Sequence, residues 1–462
     1  MAVKGLATIV LLDLLLPAAI ILNIYLYFYP LLYTCTFPRP SPSVPAPFRL
    51  LTLADPQIEG DTTLRKYDLP TNARFSPARV GTTIRKYGKM LDLWGNDLYL
   101  SHVYHTMRKH TYPTHTTVLG DLLGSQWISD EEFWRRAARF WRIFLGTRKV
   151  STKEVEGGSA HGDGWHEALM LLPGNHDVGY AGDISRPRLV RYEKAFGPYN
   201  YMLSFRPPAP ENRSVTGEEP ELRIAVLNSL TLDTPIWDQS LADESYSFLE
   251  GLQNSRQKGG SKSQATVLLT HLPLHKPEQI CVDGPEVKYF PPHYGGGIKS
   301  QNFVSEEVSD RLKEMIFGSP TEEDQGGEGA ILTGHDHEGC QSVHFWEKGK
   351  NTWNVTTYKK WMDERPEKQV DAKTVREITV RSMMGEFGGN AGLFSAWYDY
   401  DLNGMSPVQF PARMREILIC STRVEVRVCL LRPWNPARLV DRPCCQHNRR
   451  DVVVDHRTVV HS

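Results

Sequence analysis

The sequence predicts an α/β layered domain carried behind one membrane-spanning helix. Three features lead to it: an N-terminal apolar run with a single charge, a series of short apolar runs that each end in a polar cluster, and amphipathic helical stretches between them. The chain has 462 residues, 40% hydrophobic and 23% charged, which excludes a polypeptide that is disordered, collagen-like or coiled-coil throughout. Lys and Arg total 53 against 54 Asp and Glu, leaving a net charge of -1. No basic field is available to hold a nucleic-acid backbone, so no nucleic-acid partner is expected.

The first element runs from Leu6 to Leu32, and its only charge is Asp13. About 20 apolar residues cross a bilayer as a helix, whereas a cleaved signal peptide needs an apolar core of only about 7 to 15 and a small-residue cleavage site. Residues 6–32 therefore read as an uncleaved anchor, with Tyr25, Tyr27 and Tyr29 near one end, where amphipathic rings favour the headgroup zone. Residues 33–47 follow as a stiff tether; the stretch PRPSPSVPAP from Pro38 to Pro47 can form neither a helix nor a central strand.

The body is expected over 48–400. Its apolar runs are LLTLADPQ (Leu50 to Gln57), TTVLGD (Thr116 to Asp121), ALMLLPGNHD (Ala168 to Asp177), IAVLNS (Ile224 to Ser229), ATVLLTHLP (Ala265 to Pro273) and AILTGHDH (Ala330 to His337). Each has the length and composition of a buried strand. The clearest helix is Ile128 to Leu145, where Ser129 and Glu132 have capping-box spacing ahead of Phe133, Ala137, Phe140, Trp141 and Phe144. Trp127, Trp134 and Trp141 recur every seven residues and read as a packing face. Lys258 to Ser263 and Thr321 to Gly329 read as solvated loops. No period assigns a structure to the tail, 401–462.

Seven cysteines without CxxC pairs make structural zinc and a disulfide framework poor readings. One bridge, for example Cys281 to Cys340, is compatible with an oxidising compartment, but spacing leaves the pairing open. Asn212-Arg-Ser214 and Asn354-Val-Thr356 fit the N-glycosylation rule, which acts only if the body faces a secretory lumen. Lys4 before the span and Arg39 and Arg49 after it do not orient it.

Strands alternating with helices place chemistry in the loops beyond the strand carboxyl ends. There the sequence sets Asp55-Pro-Gln57, Gly120-Asp121, Gly174-Asn175-His176-Asp177, His271 and Gly334-His335-Asp336-His337. All offer oxygen or imidazole donors. Two adjacent divalent ions need a shared carboxylate and several O/N ligands on each side, which this set can supply with Asp121 as the bridge. Taken singly, Asp55 and Asp121 could be helix caps and His271 a hydrogen-bonded strand end. The loop Gly385 to Gly392 lacks the Lys-Ser/Thr ending of a P-loop and reads as a turn near the cleft.

In this order the motifs resemble the calcineurin-like metallophosphoesterase superfamily, over roughly Phe48 to Tyr400. The resemblance implies a two-sheet α/β sandwich flanked by helices. It implies that Asp55, Asp121 and His337 hold a first metal, with Gln57 in the same motif, and that Asp121, Asn175, His271 and His335 hold a second. His176 would serve the phosphoryl transition state or protonate the leaving oxygen, with Asp177 orienting it through the other ring nitrogen. Where many members have Asp-x-His, this chain has Asp55-Pro-Gln57. An amide oxygen is a harder, weaker ligand than imidazole, which makes the first site lean toward manganese over zinc; the two divalent ions are expected to be manganese, with zinc or iron as the alternatives.

Leu53 to Gly60, the Trp/Phe-rich helix and Arg381 to Phe394 are similar to the fungal branch of endoplasmic-reticulum phosphoesterases. That branch trims ethanolamine phosphate from the glycan of glycosylphosphatidylinositol (GPI) anchors. The resemblance implies a lumenal catalytic domain on the endoplasmic-reticulum membrane, a lipid-linked glycan substrate, a role in export of anchored proteins, and cargo receptors of the early secretory pathway as partners. Two alternatives stand beside it: a phosphoesterase for a phosphoprotein or nucleotide, and a trafficking adaptor with a weakened metal site.

Overall fold

The computed structural model describes residues 8–32, 35–40, 43–60, 64–67, 77–162, 164–207, 219–257, 263–319, 328–347, 349–363, 373–398 and 418–421. Nearly all of the tail, the Asn212 sequon and most of the two solvated loops lie outside the described residues.

Two sheets form the body. One has the order β15-β14-β1-β2-β4-β3: β1 is Phe48–Leu53, β2 His115–Val118, β3 Arg148–Lys149, β4 Ala168–Leu171, β14 Asn390–Ala396 and β15 Leu418–Ser421. The other has the order β12-β11-β13-β10-β7-β6-β5: β5 is Tyr201–Phe205, β6 Glu221–Leu227, β7 Gln264–Thr270, β10 Glu328–Thr333, β11 Cys340–Glu347, β12 Thr352–Thr357 and β13 Thr374–Thr379. A short hairpin pairs β8 (Val287–Tyr289) with β9 (Ile298–Gln301). All six expected strands are present, and each sheet has a parallel centre: β1, β2, β4 and β3 in one, β6, β7, β10 and β13 in the other.

Parallel strands buried on both faces read as unbroken apolar runs rather than alternating ones. The packing shows why here. Phe48 and Leu50 of β1, Ala168 and Met170 of β4, Ile224 and Val226 of β6, Val267 and Leu269 of β7, and Ala330 and Leu332 of β10 pack into one cluster drawn from both sheets. The alternate residues on the same strands, Leu51, Leu53, Leu169, Leu171, Leu227, Leu268 and Ile331, join a second cluster with the helices. The result is a sandwich with helices outside.

The helices that matter below are α1 (Leu16–Leu32), α2 (Pro77–Thr111), α3 (Asp130–Ile143), α4 (Asn175–Val178), α5 (Arg186–Phe196), α6 (Gln239–Asn254) and α7 (Glu306–Phe317). Ser129 caps α3 by accepting from Glu132 N at 3.3 Å. The Glu132 carboxylate is turned inward to Arg136 Nε, at 2.7 Å, both side chains being buried. On that helix Phe133, Ala137 and Phe140 face the core, but Trp134 is exposed, as is Trp127 before it. The seven-residue recurrence of tryptophan is therefore not a buried face, because Trp127 precedes the helix and Trp134 follows Phe133 by one position.

Val10–Leu32 is a continuous helical run of 23 residues, long and apolar enough to cross a membrane; most of its apolar side chains are exposed, while Tyr29 and Pro30 near its end are buried. Its length is about 34 Å at 1.5 Å per residue. Within 33–47, expected as a tether, the described residues Cys35, Phe37 and Ala46 are buried. Tyr29 Oη donates to Met107 Sδ on α2, and Phe37 joins the helix-side core.

Candidate metal centre

Strand carboxyl ends from both sheets meet at one end of the sandwich. β1 delivers Asp55 and Gln57, β2 delivers Asp121, β4 leads into α4 with Asn175 and His176, β7 delivers His271, and β10 delivers His335 and His337. The turns are tight and left-handed. Asp55 (φ 52°), Gln57 (41°), Asp121 (49°) and His335 (74°) all have positive φ, four of seven such non-glycine residues among those described. Each costs on the order of 1 to 3 kcal/mol, a strain typical of functional sites. Gly174 is required for a different reason: a Cβ there would stand 2.1 Å from Asp121 N and from Asp121 Oδ1.

Two groups of donor atoms result, each within 4.8 Å of one another: Asp55, Asp121 and His337; and Asp121, His271 and His335. Asp121 belongs to both. Its Oδ1 accepts from His176 N at 2.8 Å and lies 3.3 Å from His271 Nε2; its Oδ2 accepts from Gln57 Nε2 at 3.0 Å. The Gln57 amide also sits 3.0 Å from His337 Nε2, so Gln57 lies in the first group. Turned over, the same amide offers its oxygen. Asn175 joins the second group through Oδ1, 3.0 Å from His271 Nε2.

The tautomers test whether this set fits a cation. His271 Nδ1 donates to the Leu119 carbonyl at 2.8 Å, so a neutral ring presents only a lone pair at Nε2. That lone pair faces Asn175 Oδ1 and Asp121 Oδ1, three acceptors converging with no proton between them. His335 Nε2 donates to the Gln301 carbonyl at 3.1 Å, leaving Nδ1 as its electron-pair donor. Burial pushes the His335 pKa down to about 3 and lowers those of His271 and His337, disfavouring their protonated forms. Burial, with Asp121 adjacent, drives the Asp55 carboxyl well above its usual range. Burial also opposes ionisation of Asp121, but His176, His271 and His335 hold its pKa below the usual value. A divalent cation in each group removes both conflicts, letting neighbouring carboxylates ionise together. The donor set fits.

Asp177 does not orient His176. Its Oδ2 accepts from Gly174 N (2.8 Å) and Leu122 N (3.0 Å) and its Oδ1 from Leu123 N (2.8 Å). A carboxylate at the third residue of α4 is drawn to the free N–H groups of the helix start and the neighbouring loop. Asp177 therefore fixes the Asp121 and Asn175 loops against each other. The His176 ring is partly exposed, with Nε2 3.8 Å from Asp121 Oδ2.

Three supports carry no ligand motif of their own. Ser382 Oγ donates to the Asp55 carbonyl at 3.0 Å and Ser382 N to the His337 carbonyl at 3.1 Å, tying the two halves of the first group. The Phe387 ring stands edge-on to His337 at 4.7 Å. Both lie in the segment from Arg381 to Phe394; nothing in the sequence marks the Gln301 carbonyl. Cys281 and Cys340 are disulfide-bonded, joining the chain beyond His271 to the start of β11, three residues past His337.

No protein-family model matches the chain. Protein TED1 of Saccharomyces cerevisiae is 33% identical over 368 residues, 68% of this chain and 71% of that one. Metallophosphoesterase 1 of Danio rerio is 22% identical over 56% of this chain and 60% of its own length. Among solved structures, a dimetal phosphatase from Danio rerio aligns over 77% of this chain and 94% of that one, at 13% identity and a TM-score of 0.35.

Proposed function

The chain belongs to the calcineurin-like metallophosphoesterase family and is a phosphoester hydrolase, and we propose that it removes ethanolamine phosphate from the glycan of GPI anchors in the endoplasmic-reticulum lumen, aiding export of the anchored proteins. The observation that carries the chemistry is the pair of donor groups sharing Asp121. When bound, two divalent ions supply Lewis-acid neutralisation of phosphoryl oxygens and a lowered pKa for water. Asp55, Gln57, Asp121 and His337 hold the first; Asp121, Asn175, His271 and His335 hold the second. The harder amide of Gln57 favours manganese in the first group.

His176 is not in either group, and its partly exposed ring stands 3.8 Å from Asp121 Oδ2, a position from which it supplies a proton to the leaving alkoxide. Asp177 keeps His176 on its loop by fixing the start of α4. The substrate class rests on the membrane span and on the likeness of Leu53 to Gly60 and Arg381 to Phe394 to the fungal branch. A lumenal body agrees with the Cys281–Cys340 bond and with Cys35 also being disulfide-bonded, since such bonds persist in oxidising compartments. Asn354 stands on edge strand β12, its amide on Glu347. Mass spectrometry of anchor glycans from cells lacking the protein tests the reading: retained ethanolamine phosphate is expected, and unaltered glycans would refute it.

A further inference from the structure

Helix α2 is 35 residues long, and its N-terminal half presents Val80, Ile84, Tyr87, Leu91, Trp94 and Leu98 at alternating steps of four and three. That spacing puts all six on one seam, about 27 Å long at 1.5 Å per residue. All six are exposed, from 39% at Val80 to 66% at Leu91. A continuous apolar strip of this size marks a contact surface rather than scattered surface residues.

What lies against it follows from the neighbouring helix. The anchor packs on the same α2, just beyond the end of the seam: the Tyr27 ring meets His102 at 4.8 Å, Phe28 meets His110 at 6.0 Å, and Tyr29 meets Met107. Leu98 is one helical turn from His102, so the seam continues from the point where the anchor meets the body. The other side of α2 is tied to the metal centre. Lys89 Nζ pairs with Glu59 at 3.0 Å, and Arg139 joins Asp97 of α2 to the Glu59 carbonyl, two residues past Gln57. Tyr99 packs against Gly385, two residues before Phe387, whose ring abuts His337.

We propose that the seam of α2 lies in the surface of the bilayer that the anchor crosses, with its apolar side chains at the boundary of head groups and acyl chains. A helix with one apolar face and charged residues on the other is suited to that plane. The metal centre is thereby held beside the membrane, where a phosphodiester carried on a lipid reaches it without leaving the leaflet. This rests on reading Val10–Leu32 as a span, and a lipid surface is the one partner that such a span brings to this position.

The test uses the full chain reconstituted in phosphatidylcholine vesicles, with and without lipid brominated on the acyl chain near the headgroup. The span contains no tryptophan, so lipid quenching of intrinsic fluorescence should come from Trp94. Bromolipid is expected to quench the native chain, and Trp94→Phe, a conservative change at an exposed site, is expected to abolish that quenching. A chain that floats with the vesicles but is quenched equally with and without Trp94 overturns the proposal alone. So does a seam shielded by a second copy, seen as a dimer that Leu91→Glu dissociates. A chain that fails to float overturns the span and the proposal together.

Discussion

His176 is the imidazole at the centre that neither donor group claims, and its partly exposed ring separates its duty from that of the ligands. His176→Ala should keep its metal content while hydrolysis of bis-p-nitrophenyl phosphate falls by about 10² to 10⁴, the usual contribution of a positioned acid. Metal lost along with activity would make it a ligand instead. Gln57 is testable in the other direction. Gln57→His should tighten metal binding in the first group and move its preference from manganese toward zinc in a titration of the purified protein. Unchanged affinity and order would mean that Gln57 contributes no ligand atom. These residues were legible in the sequence because each ends an apolar run with a donor. Asp177 misled for a physical reason: a carboxylate beside a histidine suggests a pair, yet backbone N–H groups at a helix start compete for it and win.

The disulfide acts between elements. Cys281 lies on the connection after β7 and Cys340 opens β11, so the bond closes a loop of sequence separation 59 that contains both His335 and His337. Closing a loop of that length removes about 4 kcal/mol of unfolded-state entropy in the chain model. Replacing both cysteines by serine should lower the urea midpoint accordingly and weaken metal binding; an unchanged midpoint would show that the ligand loops are held by the sheets alone. At this scale the strands were readable and α2 was not. Its apolar seam points away from the body, and Gly81, Gly88 and Gly95 beside the seam lower its helix propensity, so the helix lacks the buried period that identifies α3. Two sheets rather than one were not readable from the runs either, since a strand covered on both faces looks the same in a sandwich as in a single layered sheet.

For the whole molecule, buried histidines away from the centre set the acid limit. His115, packed among Phe48, Trp165 and Phe205 inside the sandwich, and His344, bonded to Glu377 at 2.7 Å, are both pushed down to about 4 by burial. The unfolded chain takes up these protons near 6.5 and the folded chain does not, so stability is lost as pH falls from about 6.5 toward 4. The loss should be on the order of 2 to 3 kcal/mol per histidine by pH 4.5. His115→Gln should remove its share, read as a smaller drop in the urea midpoint between pH 7 and pH 4.5; an identical drop would place the acid sensitivity elsewhere.

The sharing of Asp121 by two cation-binding groups is most directly read by measuring metal content and phosphodiester hydrolysis on the same preparations of native chain and Asp121→Ala. Two divalent ions per native chain are predicted, with ions and turnover both lost in Asp121→Ala while the fold persists. An Asp121→Ala chain that retains either its pair of ions or its turnover would contradict the account.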